Sequence, residues 1–507
     1  MPDPMNQVVL DGGPLTRADV LAVARQEASV ALGDHARQRM LSARAVVEAA
    51  IRGDEVVYGV TTGFGALAST HIGRDEVDEL QHRLIRSHAA AVGDPLDDVV
   101  VRAMLVLRAR TLSQGHSGVR PVVAERLLQL LEHNALPVVP RQGSVGASGD
   151  LAQFAHLALP VIGEGVLRYQ DEVRPSAEVL AEVGIEPLRL QAKEWLSLLN
   201  GTEGMLAIGI IALDMAETLV EAADAACALS VEALLGSVVP FQARIHELRP
   251  HPGQKQSAAR IGGLLDGSAI VESHAADFDH AVQDAYSLRC APQVHGAVRD
   301  VLAHAANVFE TEAGSVVDNP IVFADEGDVV SAGNFHGQPL AFALDFLAIA
   351  VAELGSISER RTDRLLDPTR SAGLTPFLAS RPGVDSGYML AQYTAAAIVA
   401  ENRVLAHPAS VDSIPTSGLQ EDHVSMGFGA ATKLLRVLDG VEKVLAVEFM
   451  CAAQGVDQRA PLRSAPGTAA LHAVIRTAVP SLEHDRPIGG DIEAIAALIG
   501  GGALQQP

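Results

Sequence analysis

Gly143-Ser144-Val145-Gly146-Ala147-Ser148-Gly149-Asp150-Leu151 is the stretch from which the rest of the chain can be read. It runs into Ala152-Gln153-Phe154-Ala155-His156-Leu157-Ala158-Leu159. The spacing predicts a tight loop feeding a helix, with Asp150 as its N-cap. The chemistry lies in Ala147-Ser148-Gly149. Gly149 has no Cβ, so its backbone reaches conformations closed to other residues. Its amide nitrogen can attack the Ala147 carbonyl carbon and close a five-membered ring. Loss of one water from that ring and one from Ser148 leaves an exocyclic methylene. Such a methylene is a strong electrophile, and no ordinary side chain supplies one.

Two other readings compete at this point. A bare Ala-Ser-Gly is usually a flexible turn. Gly146-Ala147-Ser148-Gly149-Asp150 also resembles a serine nucleophile elbow, but Asp150 stands where glycine belongs and no β-branched strand precedes it. The remainder of the chain has to decide.

A chain of 507 residues, 48% hydrophobic, can bury a large core, and length alone suggests about three domains. The net charge of −24 disfavours nucleic acid or an anionic membrane as partner. Cys227, Cys290 and Cys451 lie far apart and form no metal pattern. They fit a reduced cytoplasmic protein. Met1-Pro2-Asp3-Pro4-Met5-Asn6 is neither basic nor apolar, so no signal peptide is expected. The longest apolar stretch, Met205 to Val239, is interrupted by Asp214, Glu217, Glu221 and Asp224. It reads as a buried helix of a soluble protein rather than a membrane span.

Helical patterning is expected over 16–53, 79–91 and 122–134, with a short hairpin or surface excursion within 161–190. Longer helices are expected over 203–239, 336–366, 387–406 and 421–459. At about 1.5 Å per residue the first spans roughly 50 Å. Four long Ala- and Leu-rich segments, and only 4% aromatic residues, predict an all-α fold built on a long-helix bundle. Three interwoven parts follow: a loop-rich N-terminal part over 1–200, the bundle over 201–460 and a helical tail over 461–507. Polar loops lie between the helices. Glu421-Asp422-His423 could suggest a metal site, but three adjacent residues cannot face one ion, so no metal is expected. Their acids suit the first turn of the last long helix.

The loops carry recurring signatures. Tyr58-Gly59-Val60-Thr61-Thr62-Gly63-Phe64-Gly65 is followed by the 143–151 stretch, then Leu198-Leu199-Asn200-Gly201-Thr202. Gln283-Asp284-Ala285-Tyr286-Ser287-Leu288-Arg289-Cys290 and Gln420-Glu421-Asp422-His423-Val424-Ser425-Met426 complete the set. In order and spacing this set is similar to the motifs of the aromatic amino acid ammonia-lyases. The likeness runs from about residue 55 to about residue 460.

The resemblance implies that Ala147-Ser148-Gly149 matures into 4-methylidene-imidazol-5-one (MIO), with no diffusible cofactor. The electrophile would make the substrate nitrogen a better leaving group, either by taking the amine or by engaging the aromatic ring; both routes stay open. Tyr58 resembles the family's base, which requires a phenol with a lowered pKa. Arg289 matches an arginine that forks onto the substrate carboxylate, a geometry lysine lacks. Asn200, Gln283, Tyr286 and Phe335 match residues around the ring and the substrate. Ser87-His88 resembles the histidine-type pair, where other branches carry His-Leu or Phe-Leu. Glu421 stands where phenylalanine-type relatives have a neutral residue. His88 and Glu421 can each pair with an imidazole nitrogen. The implied reaction takes L-histidine to trans-urocanate and ammonia in a cytoplasmic homotetramer, each active site drawing on three chains.

Some positions depart from the family pattern. Trp195 and Glu203 flank the Asn200 motif, and Ala313-Gly314 precedes Asp318-Asn319-Pro320. None of them is expected to touch a residue with an assigned role, although Trp195 could alter packing near Asn200. A tyrosine or phenylalanine lyase, or a 2,3-aminomutase, remains open within the family. A catalytically inert helical scaffold is the alternative outside it.

Overall fold

The computed structural model describes residues 6–53, 74–146, 148–274 and 283–505. Its long helices are Glu203–Ala233, Ala291–Ala313, Gln338–Leu366 and Gly427–Asp457, followed in length by Asp34–Arg52 and Met389–Leu405. Strands are few and short, so the fold is all-α as expected. By compactness the chain forms two units. The first comprises 1–211, 306–344 and 409–432; the second comprises 212–305, 345–408 and 433–507. Four of the five boundaries fall inside the four longest helices, and the fifth, at 408/409, follows Met389–Leu405. Gln338–Leu366 is long and apolar enough to cross a membrane, yet 67% of its apolar window is buried, as in a core helix.

Helix ends differ from the sequence expectation for identifiable reasons. The helix expected to reach 239 stops at Ala233. Leu235 adopts a left-handed φ of 54°, and the Gly236 amide donates to Val231 O at 2.7 Å. This is a Schellman ending, with leucine where glycine is usual. The helix expected over 79–91 is Arg74–His88. It stops early because the strand Val92–Pro95 pairs antiparallel with Pro140–Gln142. That pairing leads the chain directly into Gly143. The expected hairpin exists as Val166–Tyr169 against Glu172–Pro175, turned by left-handed Gln170 and Asp171.

In the first unit, Asp98–Ser113 is buried along nearly its whole length. It carries Arg108, 0% exposed, into the interior. The second unit has a buried ionic core. His295 Nδ1 lies 2.7 Å from Asp224, and Arg299 donates to the same carboxylate at 2.6 Å. Arg361 forks onto Glu448 at 2.5 and 2.8 Å, and Ser230 and Ser358 donate to Glu448 as well. Removing one member of such a network leaves a buried charge unpaired, a loss of about 3–5 kcal/mol.

Candidate active site

The loop leaving Pro140–Gln142 turns on itself. Ser148 and Gly149 take left-handed φ values of 51° and 79°. Gly149 bridges to Gly201 in parallel fashion, and the Asp150 amide donates to Gly201 O at 2.8 Å. A Cβ on Gly149 would sit 1.9 Å from that carbonyl oxygen. Only glycine permits this approach. Ala147 and the loop bearing Tyr58 lie outside the described residues. The described part fits a tripeptide that closes on itself: two successive left-handed residues, the second with no side chain and pressed against backbone.

Asp150 does not cap its own helix. Its carboxylate instead accepts from the Met205 amide at 2.8 Å, in the first turn of Glu203–Ala233, and from Ser144 Oγ at 3.1 Å. Ser144 Oγ also accepts from the Gly146 amide at 3.0 Å. One carboxylate thus ties the loop to a helix distant in sequence. Burial pushes the Asp150 carboxyl up to about 7, against the pull of the Met205 and Ser144 hydrogen bonds, with nearby Glu203 adding to the rise.

Asn200 closes the short helix Glu194–Leu199, and its amide donates to Asn319 O at 3.2 Å. Arg108 donates to the Asn200 carbonyl at 2.9 Å and pairs with Glu203 at 2.8 Å. Thr111 Oγ1 donates to Glu203 at 2.6 Å. Burial raises the Glu203 pKa, with Arg108 and Thr111 opposing. Asp318 pairs with Lys193 at 3.2 Å, both fully buried. Burial alone would raise the Asp318 pKa, but Lys193 and Arg108 hold it below the usual range. Arg108 and Lys193 escaped the sequence reading, because nothing local marks a buried cation whose partner lies some hundred residues away.

The segment 413–426 also differs from expectation. Glu421-Asp422-His423 are not the first turn of the last long helix, which begins at Gly427. Glu421 bridges antiparallel to Thr416 across a tight turn with left-handed Ser417, Gly418 and Leu419. Thr416 Oγ1 donates to the Glu421 carboxylate at 2.7 Å. The local backbone pairing competes with helix formation and wins. The segment meets the ring-forming loop directly, since the Met426 amide donates to Val145 O at 2.9 Å. His336 stacks on His423 with centroids 5.8 Å apart, and half-buried Phe335 precedes it.

His88 ends its helix half-buried. Its Nδ1 lies 2.8 Å from Leu84 O. A carbonyl only accepts, so Nδ1 carries the proton. Burial lowers the His88 pKa, while the Leu84 carbonyl and the Glu421 charge pull the other way. Trp195 packs on it, with ring centroids 5.6 Å apart. The expectation that Trp195 touches no assigned residue is therefore wrong.

The first unit thus brings together Ser148, Gly149, Asn200, His88 and Glu421, with Phe335 attached through His336. Gln283, Tyr286 and Arg289 belong to the second unit. There the Arg289 guanidinium lies 4.5 Å over the Tyr286 ring, and its Nε donates to Asp284 O at 2.9 Å. Gln283, Asp284 and Arg289 line a cavity of about 360 Å³.

The chain as a whole is similar to known proteins. The aromatic amino acid lyase family model matches residues 15–477. Histidine ammonia-lyase from Gloeobacter violaceus is 53% identical over 497 residues, covering 98% of this chain and 96% of that protein. The solved histidine ammonia-lyase from Trypanosoma cruzi matches with a TM-score of 0.90 at 42% identity, over 98% of this chain and 94% of that one. Tyrosine aminomutase from Streptomyces globisporus matches with a TM-score of 0.93 at 39% identity, over 98% and 97%. The chain belongs to the aromatic amino acid lyase family.

Proposed function

We propose that the protein deaminates L-histidine to trans-urocanate and ammonia without an oxidant. The observation that carries this reading is the placement of a half-buried His88 within the field of Glu421, in the unit that holds the Ser148 loop. The substrate imidazole has two ring nitrogens, and these two groups are able to pair with both. An apolar substrate ring offers neither group a hydrogen bond, so it gains nothing from them.

The MIO ring formed from Ala147, Ser148 and Gly149 supplies an electrophile that ordinary side chains lack. Gly201, Asp150 and Ser144 hold the backbone that carries it. Asn200 precedes the Gly201 carbonyl that meets the loop and borders the ring from that side. Tyr58 takes the β-proton, which requires a phenol acidified by its surroundings. Arg289 forks onto the substrate carboxylate, with Tyr286 and Gln283 beside it. Phe335 borders the substrate ring. Four chains assemble so that each site draws on several copies. Phe342, Phe346 and Ile349, exposed along one face of a single helix, suit such burial against a second copy. A cytoplasmic location fits three unpaired thiols.

Offering purified protein L-histidine, L-tyrosine and L-phenylalanine separately, with products resolved by absorbance and chromatography, tests the assignment. A β-amino acid product would reveal an aminomutase. His88→Phe and Glu421→Gln should each lower kcat/KM for L-histidine by at least about tenfold, equivalent to 1.4 kcal/mol. If both variants match the parent, the substrate assignment fails while the lyase chemistry stands.

Arg289→Lys keeps the charge and loses the fork. It should weaken substrate binding by about 2–3 kcal/mol, seen as a raised KM. Unchanged kinetics would make Arg289 a structural partner of Tyr286 and Asp284 only.

A further inference from the structure

His88 is the last residue of its helix. A side chain at a frayed end has few neighbours from the next turn to fix its rotamer. Its ring is nevertheless held by its neighbours, with Ser87 Oγ 3.2 Å from Nδ1. Nδ1 donates to Leu84 O one turn back at 2.8 Å. On the ring itself lies the Trp195 indole, tilted by 51° with centroids 5.6 Å apart.

Trp195 is well suited to hold something still. It is 2% exposed and is among the largest fully buried side chains of the described residues. Its backbone is fixed as firmly. Lys193, immediately before the helix Glu194–Leu199, pairs with Asp318. Glu194 is buried and takes two bonds from the Arg120 guanidinium, at 2.7 and 2.8 Å. The Trp195 amide donates to Gln81 Oε1 at 3.5 Å, and Gln81 lies on the His88 helix. The same six-residue helix ends at Asn200. The indole is thus a buried wall whose backbone neighbours are themselves held by ion pairs and hydrogen bonds.

A wall matters because imidazole has two orientations about χ2. Turning the ring over replaces Nδ1 with carbon at Leu84 O and moves Nε2. With Nδ1 protonated, Nε2 of the neutral ring is an acceptor. We propose that Trp195 is a positioning residue for substrate choice: it pins the His88 ring so that Nε2 stands as a fixed acceptor for an N–H of the substrate ring. The inference rests on the reading of His88 as a substrate contact and deepens it. L-phenylalanine has no N–H on its ring, so a fixed acceptor rejects it. A loose imidazole can turn its carbon edge towards a phenyl ring and rejects it less.

The test compares Trp195→Phe with Trp195→Leu, alone and with His88→Phe. Phenylalanine keeps an aromatic face, and leucine fills space without one. Trp195→Phe should hold the ratio of kcat/KM for L-histidine over L-phenylalanine within about threefold of the parent, and Trp195→Leu should lower it by about tenfold, the scale set by one directed hydrogen bond. The loss should appear mainly in KM for L-histidine. In the His88→Phe background, Trp195→Leu should change the ratio by less than about twofold, because an effect transmitted through His88 vanishes with it. An unchanged ratio in Trp195→Leu overturns the proposal. So does an equal loss in the Phe and Leu variants, or a loss that persists without His88. If His88→Phe alone leaves L-histidine kinetics intact, the reading of His88 falls first, and that result is separate from any behaviour of Trp195.

Discussion

Ser148→Ala is expected to leave a folded protein whose turnover of L-histidine drops by at least about a thousandfold, some 4 kcal/mol of barrier. The substitution removes one oxygen from a half-buried loop residue, and the neighbouring contacts of Ser144, Asp150 and Gly201 do not involve that oxygen. Stability should therefore change little. What disappears is the hydroxyl whose loss as water creates the methylene. Intact mass gives a direct check: the parent should weigh two waters less than its encoded chain, and the variant should retain at least one of them. A Ser148→Ala protein active within about tenfold of the parent would refute the ring chemistry.

Gly149→Ala should fail differently. The new methyl would lie 1.9 Å from Gly201 O and 2.3 Å from Gly201 C, and backbone atoms cannot rotate away. Its φ of 79° disfavours alanine as well. Left-handed strain and forced displacement together predict a loss of about 2–4 kcal/mol in folding stability. Moving Gly201 would also disturb the Asp150 amide bond and the carbonyl of Asn200 held by Arg108. Gly149→Ala should thus lower the urea midpoint and show the full unmatured mass, whereas Ser148→Ala should affect mass and activity alone. A variant that melts like the parent and still sheds two waters would show that the close approach is dispensable.

The sequence made the long helices visible where apolar residues ran unbroken, and hid one where they did not. Ala291–Ala313 went unnoticed because His295 and Arg299 look like surface residues. Both are buried, and both reach Asp224, itself one of the charges that seemed to interrupt the apolar stretch 205–239. Each polar residue is explained by the other, and only the fold introduces them. Asp150 shows the same limit. A capping residue was legible, but the helix it serves was not, because the served amide, Met205, is 55 positions away. Glu421 was placed in a helix because acids favour first turns, and the pairing with Thr416 overrode that preference. The ring-forming tripeptide was legible because it is local: its chemistry needs three adjacent residues. The neighbourhood of His88 was legible only in part, since Trp195 looked like an oddity of the Asn200 motif rather than a wall for a residue a hundred positions earlier.

Both compact units are assembled from three separate stretches of chain, and that has a consequence for biosynthesis. The first unit lacks its third stretch until residue 432 has been made, and the second continues to the end of a 507-residue chain. Neither can close its core while most of the chain is still leaving the ribosome. Apolar helices such as Glu203–Ala233 therefore emerge well before their late partners exist. Contacts of such long sequence separation form slowly. During that interval the nascent chain is at its most prone to associate with other chains. Yield of the enzyme in cells should accordingly depend on translation speed and chaperone supply more than on the stability of the finished fold.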